Sequence, residues 1–313
     1  MSGPADTRIM PLGDEAIAEA ARLVLAGQPV AVPTETVYGL AADATNPQAV
    51  ARIYAAKGRP RFNPLIVHVP NLEAAQHIGK FDGEARRMAE KHWPGPLTLV
   101  VPLVKNAPIP GIVTAGLQTI ALRVPAHPAM QALLKACGRP LAAPSANASG
   151  LISPTRASHV MASLKGRIPL VIDGGATQRG IESTIIAATD GRLRLLRRGP
   201  IEVDAVEVER PSAIEAPGQL ASHYAPSKPL RLDATEAKEG EYLIGFGPIT
   251  GDVTLSEAGD PVEAAARLFD LLHRADAAPQ KRIAVAPVPG DGIAAAIRDR
   301  LRRAAAPRPD STI

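Results

Sequence analysis

The chain has 313 residues, 46% of them hydrophobic, and a formal net charge of +4, the profile of a globular protein long enough for one large or two modest domains. Aromatic residues make up 3% and there is one cysteine, Cys137, which excludes a stacking single-strand binder, an internal disulfide and a multi-cysteine metal site; in MQALLKACG the cysteine reads as a small buried hydrophobe. No apolar run approaches the roughly 20 residues that span a bilayer and no charged start leads into an apolar leader, which points to a reducing cytoplasm and away from the membrane.

In chain order, DEAIAEAARLVLAG predicts a helix with Asp14 near its start and Gly27 as its stop, and QPVAVPTETVYGLAADA follows as strand and loop. NPQAVARIYAAKG predicts the next helix, with Asn46 as N-cap, Pro47 at the first helical position and Gly58 at the stop. Where it ends, KGRPRFNPLIVHV places three cations in five residues with no acid to pair them, stiffened by Pro60 and Pro64, and runs into the strand LIVHV. Proline restricts itself and the residue before it, so Arg59 and Asn63 are held out of helix and lose less entropy on capturing an anion. The segment reads either as a polyanion site, a nucleotide triphosphate being the natural guest, or as a solvated basic turn.

FDGEARRMAEKHW and HPAMQALLKACG predict helices; LTLVVPLV, TIALRVP, PLAAPSAN, PLVIDGG, ESTIIAA and LRLLRRG predict strands. This interleaving specifies an α/β fold, a sheet covered by helices. From about Val206 to Lys228 the periodicity fails and the chain reads as a linker; beyond it EYLIGFG and KRIAVAPV are buried strands, PVEAAARLFDLLHRAD and GIAAAIRDRLRRAAA are helices, and APRPDSTI is a fraying tail. The expected domains are 1–205, a linker or lid at 206–228, and a smaller unit at 229–313.

From Lys91 to Ile172 there is no Asp or Glu, although eight Lys and Arg fall within it. Residues 1–208 carry 22 Lys and Arg against 16 Asp and Glu, a balance of +6, whereas residues 209–313 carry 13 against 15, a balance of −2. The positive field of the first part attracts anionic ligands and nucleic acid alike.

Gly and Pro cluster at strand ends, where the ligand crevice of an open α/β sheet lies. PSANASGLISPT offers Ser145, Asn147, Ser149, Ser153 and Thr155 in one loop, fit for phosphate oxygens or an adenine edge, or simply a turn-rich connection. Arg123 and Arg197 each close an apolar strand, as surface snorkels or as carboxylate and phosphate forks. His68, alternating with apolar neighbours, is a half-buried structural histidine or a ligand. No nucleophile elbow, Walker sequence, G-x-G-x-x-G, carboxylate pair or metal-spaced His cluster appears. Glu35, Asp43, Asp173 and Glu182 are the acids near these loops, so magnesium would arrive with the nucleotide and keep several waters. Many donors and few bases point to catalysis by positioning and charge neutralisation.

PTETVYGL, KGRPRFNPLIVHV, WPGPLTLV, LRVPAHP, APSANASG and GIESTI, in this order and spacing, resemble the YrdC-like threonylcarbamoyl-AMP synthase family over about residues 10–205, and APGQLASHYAP resembles the linker of its two-domain form. The resemblance implies a twisted mixed sheet with a basic concave surface, followed by a small Rossmann-like domain. It implies a nucleotidyltransferase joining L-threonine, bicarbonate and ATP, with magnesium, into threonylcarbamoyl-adenylate and pyrophosphate for tRNA modification beside the anticodon. By the same resemblance Lys57, Arg59 and Asn63 would address ATP phosphates, Lys57 and Arg59 as the catalytic cations. Thr119, Ser145, Ser153, Arg197 and Tyr224 would complete the nucleotide site. Thr36 (or Thr34), His68, Arg123, Ser183 and the backbone at Ala143 would seat L-threonine, with Arg123 on its carboxylate. His223 and Tyr224 would let the linker close as a lid. A downstream threonylcarbamoyl-transferase complex is the implied partner, with tRNA or double-stranded RNA contact through the basic face.

Two other readings compete: an RNA-binding module that makes no adenylate, and a carbamoyl-transfer domain. The latter would normally come with a zinc-finger segment, which one cysteine rules out.

Overall fold

Helix ends form where side chains satisfy the backbone groups that a helix leaves unpaired. Asn46 accepts from the backbone N–H groups of Gln48 and Ala49, Pro47 sits in the first turn, and Gly58 closes Pro47–Lys57 in the left-handed region at φ 59°. Asp82 caps Gly83–His92 through the Ala85 N–H, and His127 caps Pro128–Cys137 through the Ala129 N–H. Asp14 and Glu15 lie in the first turn of Asp14–Leu25, where acids oppose the helix dipole. The computed structural model describes residues 6–189, 191–207, 214–218 and 222–307.

Among these residues eleven strands make one mixed sheet, in the order Arg8–Pro11, Leu170–Asp173, Val30–Val32, Gly39–Asp43, Leu141–Ala142, Ile66–His68, Thr119–Arg123, Leu97–Pro102, Thr184–Thr189, Arg192–Arg197 and Val206–Glu207. Ile66–His68 runs parallel to Thr119–Arg123 and antiparallel to Leu141–Ala142, with His68 in register with both Arg123 and Leu141. Gly39–Asp43 and Ile66–His68 are buried end to end and Thr119–Arg123 from Ile120 onward, which is why the central strands read as largely apolar runs.

A second, four-stranded sheet runs Leu230–Arg231, Arg282–Val285, Glu241–Gly245 and Val253–Thr254, all parallel. The helices Pro261–Ala277 and Ile293–Ala305 bury Leu268, Phe269, Leu272, Ile297 and Leu301 in its core. That core also takes in Val37, Ile152, Ile181 and Tyr224, so the two units are packed together beside the ends of the main sheet. Gly180 makes the approach feasible: its φ is +68°, and a Cβ there would stand 2.3 Å from the carbonyl oxygens of Ala265 and Ala266.

The strands Arg8–Pro11, Leu230–Arg231 and Val253–Thr254 and the helix Ala157–Leu164 escape the periodicity. The strands are too short to show a period, and the helix buries Ala157, Val160 and Leu164 between polar residues. Val206–Glu207, read as the start of the linker, extends the main sheet beside Arg192–Arg197. Residues 208–213 and 219–221 of the expected linker, and 308–313 of the tail, lie outside the described residues. The described part of the linker is held on both sides: the Ala225 N–H donates to Gly150 O and the His223 N–H to Arg303 O.

Candidate active site

The crevice forms where the loop after Val30–Val32, the strand ends at His68 and Arg123, the loop after Leu141–Ala142 and the start of Thr184–Thr189 converge. Register places His68 and Arg123 side by side on neighbouring parallel strands, so both side chains leave the same face of the sheet.

The Pro33–Tyr38 loop is shaped by one hydroxyl. Thr34 Oγ1 donates to Val37 O at 2.7 Å and accepts from the backbone N–H groups of Thr36 and Val37. Its single proton being spent, Thr36 Oγ1 is the donor in the 2.8 Å bond between the two hydroxyls, and it accepts from Arg123 Nη1 at 3.0 Å. Thr34 is therefore consumed in the turn, while Thr36 keeps a lone pair for a ligand.

Arg123 also donates from Nε to Gly95 O and from Nη2 to Glu35 Oε1 at 2.6 Å. Burial works to raise the Glu35 pKa, but the Arg123 guanidinium outweighs it and the carboxyl is held below its ordinary range. His68 is pushed down to about 3 by burial, with Arg123 adding to the shift, so its imidazole is neutral, and its Nδ1 has no hydrogen-bond partner among the described residues. The Ala143 N–H is spent on Ile66 O, which leaves the Ala143 carbonyl as its backbone offering. Ser183 Oγ pairs with Thr98 Oγ1 at 2.7 Å and accepts from Arg197 Nη2 at 3.0 Å.

The cationic wall is braced by backbone oxygens. Arg59 donates from Nε to Asn63 O and from Nη2 to Asn63 Oδ1 and Pro64 O; this bracket is what the two prolines make stiff. Arg197 donates from Nε to Ser183 O. Lys57 donates from Nζ to the carbonyls of Ser145 and Asn147, and so pins the PSAN loop. Burial, then the neighbouring Arg59, push the Lys57 pKa well down; burial lowers Arg59 to about 10 and lowers Arg197 as well. Around this site the four buried arginines Arg59, Arg123, Arg197 and Arg300 outnumber the neighbouring buried carboxylates Glu35 and Glu182. Such an excess of buried positive charge is self-repelling.

Of the residues expected from the sequence, Thr36, His68, Arg123, Ala143 and Ser183 line one cavity together with Arg59, Ser145, Arg197 and Tyr224. Four do not line it. Lys57 grips the loop that carries Ser145, Asn63 holds Arg59, and Ser153 donates to Glu182 Oε1. Thr119 opens its strand opposite Pro102. The lining also includes Thr34, Glu182, Gly218 and His223. Glu182 was visible as an acid beside the loops, whereas Arg300 carried no sequence signal because it arrives from a helix 118 residues further along.

In this closed arrangement the cavity measures about 50 Å³, well short of the roughly 300–1,000 Å³ of sites for drug-sized ligands. Pro217, Gly218, His223 and Tyr224 wall it from the linker side.

The chain matches two family models. That of the Sua5, YciO and YrdC proteins, which carries the description telomere recombination, covers residues 22–199, and that of the threonylcarbamoyl-AMP synthase C-terminal domain covers 177–306. It is 39% identical to the threonylcarbamoyl-AMP synthase of Bacillus subtilis, over 94% of each chain. Among solved structures it is similar to Sua5 of P. abyssi complexed with L-threonine, with a TM-score of 0.87 and 35% identity, covering 96% of this chain and 97% of that one. A variant of the P. abyssi protein with an adjacent His and Tyr changed to Ala is similar at TM-score 0.86 and 34% identity, covering 96% of both chains; the adjacent His and Tyr of the present sequence are His223 and Tyr224.

Proposed function

The chain belongs to the threonylcarbamoyl-AMP synthase family, and on that premise we propose that it joins L-threonine, bicarbonate and ATP into threonylcarbamoyl-AMP, pyrophosphate and water. The observation that carries this reading is the meeting, in one cavity, of a polar pocket around Thr36, His68, Arg123 and Ser183 with the buried guanidinium groups of Arg59 and Arg197.

Arg123 has two N–H donors beyond those engaged with Gly95, Thr36 and Glu35, and they receive the threonine carboxylate. The Ala143 carbonyl and the spare lone pair of Thr36 accept from its polar groups, and neutral His68 meets it without adding charge. The amine and bicarbonate condense to an N-carboxylate with loss of water, and its oxygen attacks the α-phosphorus as the bond to pyrophosphate breaks. Arg59 and Arg197 stabilise the charge that builds on the departing pyrophosphate, while Lys57 holds the Ser145 loop against them. Holding the reactants in line supplies several kcal/mol, about 7–11 in favourable intramolecular cases.

Among the described residues no group of three or more His, Cys, Asp or Glu side chains could hold a metal ion, and Glu35 and Glu182 are both paired with arginines. In this proposal magnesium is part of the substrate, carried on the triphosphate. Residues 1–205 act as the catalytic domain, 206–228 as its lid and 229–313 as a second domain. The enzyme works in the cytoplasm, passes its labile product to a threonylcarbamoyl-transferase complex, and meets tRNA or double-stranded RNA through the acid-free stretch. No helix among the described residues is long and apolar enough to cross a membrane.

The test is to incubate the pure protein with ATP, labelled bicarbonate and each amino acid in turn, and to follow pyrophosphate. Threonine-dependent release is the expected result; steep, salt-sensitive RNA binding without turnover would favour the binding module. Lys57→Ala and Arg59→Ala should each lower turnover far more than stability, and near-wild-type release by both would overturn the assignment.

A further inference from the structure

Arg300 is fully buried, yet it belongs to the helix Ile293–Ala305 of the second unit. Its Nε donates to Glu182 Oε2 at 2.9 Å, its Nη2 to Arg198 O at 2.8 Å and its Nη1 to Asp299 Oδ2 at 2.9 Å. Its guanidinium carbon lies 5.3 Å from the centre of the Tyr224 ring, within cation–π range. The other Glu182 oxygen accepts from Ser153 Oγ, and Glu182 lines the cavity beside Arg197. Ser153 from the polar loop, Glu182 from the main sheet, Arg300 from the second unit and Tyr224 from the linker thus form one buried chain.

We propose that Arg300 is a positioning residue for the adenylation reaction, neutralising Glu182 and holding it against Ser153 so that the triphosphate meets a cationic wall without an opposing charge. The inference rests on the functional reading above and gives the second unit a direct share in nucleotide binding. Carboxylates repel phosphates, and a buried one does so across a low dielectric. Unpaired, Glu182 would stand in the cavity as such a charge; paired, it becomes part of the scaffold. The groups around Glu182 are Arg300, Arg197, Ser153, Tyr224 and Asp299, the last contributing through Arg300 and Tyr224.

The test compares full-length wild type with R300M, R300K and the double variant R300M/E182Q. Affinity for a non-hydrolysable ATP analogue, affinity for threonine alone, and pyrophosphate release as a function of pH are measured. R300M should weaken analogue binding at least about tenfold, the size of a lost charge-assisted interaction, while threonine affinity stays within about threefold. R300K should recover part of the loss. R300M/E182Q should recover more, because the charge needing neutralisation is gone.

In R300M the carboxyl of Glu182 keeps its burial but loses its main cation, so its pKa rises; the ratio of R300M to wild-type analogue affinity should then improve as pH falls from 8 toward 6. If R300M does not fold, R300K and the double variant carry the comparison. Unchanged analogue affinity in R300M, equal losses for analogue and threonine, or no recovery in the double variant would overturn the inference. Wild type that releases no threonine-dependent pyrophosphate would instead overturn the functional reading.

Discussion

Glu35 and Arg123 form a buried ion pair at 2.6 Å, their side chains 7% and 4% exposed. The pair fixes the guanidinium that the proposed reaction needs at the threonine carboxylate. It also explains how a strand can end on a buried arginine: its charge is met by Glu35, and further N–H groups reach Thr36 and Gly95. Removing one partner leaves the other charge buried and alone. Glu35→Gln should therefore lower the free energy of unfolding by roughly 3–5 kcal/mol, measured by urea denaturation at pH 7. The folded-state pKa of Glu35 is depressed, so its contribution is complete above the ordinary carboxylate range and is lost as pH falls through and below it. The gap between wild type and Glu35→Gln should narrow accordingly in acid.

His68 titrates at about 3 when folded, against 6.5 as an unperturbed side chain. The unfolded chain takes up a proton that the native chain refuses, so stability falls as pH drops below 6.5 and goes on falling toward 3. One such group contributes a slope of about 1.4 kcal/mol per pH unit. Urea unfolding of His68→Gln at pH 6.5, 5.5 and 4.5 should show a profile shallower than wild type by about one proton. Identical profiles would mean that His68 is accessible to protons in the native state.

Asn63 touches the proposed substrate through Arg59. Its side-chain oxygen accepts from Arg59 Nη2 at 2.7 Å, a hydrogen bond to a charged group worth about 1.5–3 kcal/mol. Asn63→Ala should raise KM for ATP about tenfold to a hundredfold and leave KM for threonine nearly unchanged. Steady-state pyrophosphate release with each substrate varied separately makes the distinction.

Tyr224 has a buried hydroxyl with no hydrogen-bond partner among the described residues and a backbone φ of +63°. A buried hydroxyl without a hydrogen bond costs stability, so it fits a group held ready for a ligand. Tyr224→Phe should leave thermal stability unchanged or slightly raised while weakening binding of an ATP analogue. A fall in stability with unchanged binding would assign the hydroxyl a structural role.

Local features were legible because their causes are local. The cap at Asn46, the proline after it and the glycine at 58 fix a helix by bonds within a few residues, and the same holds for Asp82 and His127. The motifs pointed to Arg59, Ser145, Arg197, Thr36, His68, Arg123, Ala143, Ser183 and Tyr224, all of which line the cavity. Lys57, Asn63 and Ser153 were found for their chemistry, yet their bonds go to the loop, to Arg59 and to Glu182. Nothing in a one-dimensional pattern separates a residue that faces a ligand from one that aims its neighbour. The acid-free stretch likewise signalled excess charge without saying which cations are buried together.

Read by itself, the sequence determined an α/β protein with a stiffened cationic segment, a polar loop at a strand end and a family resemblance, because composition, capping and motif order are properties of neighbours along the chain. Tertiary structure alone decided that Glu35 belongs to Arg123, that Thr34 is spent in its turn where Thr36 keeps a lone pair, and that Arg300 reaches Glu182 across 118 residues. Those choices depend on strand register and on the closeness of packing at Gly180, where a single Cβ would hold the two units apart.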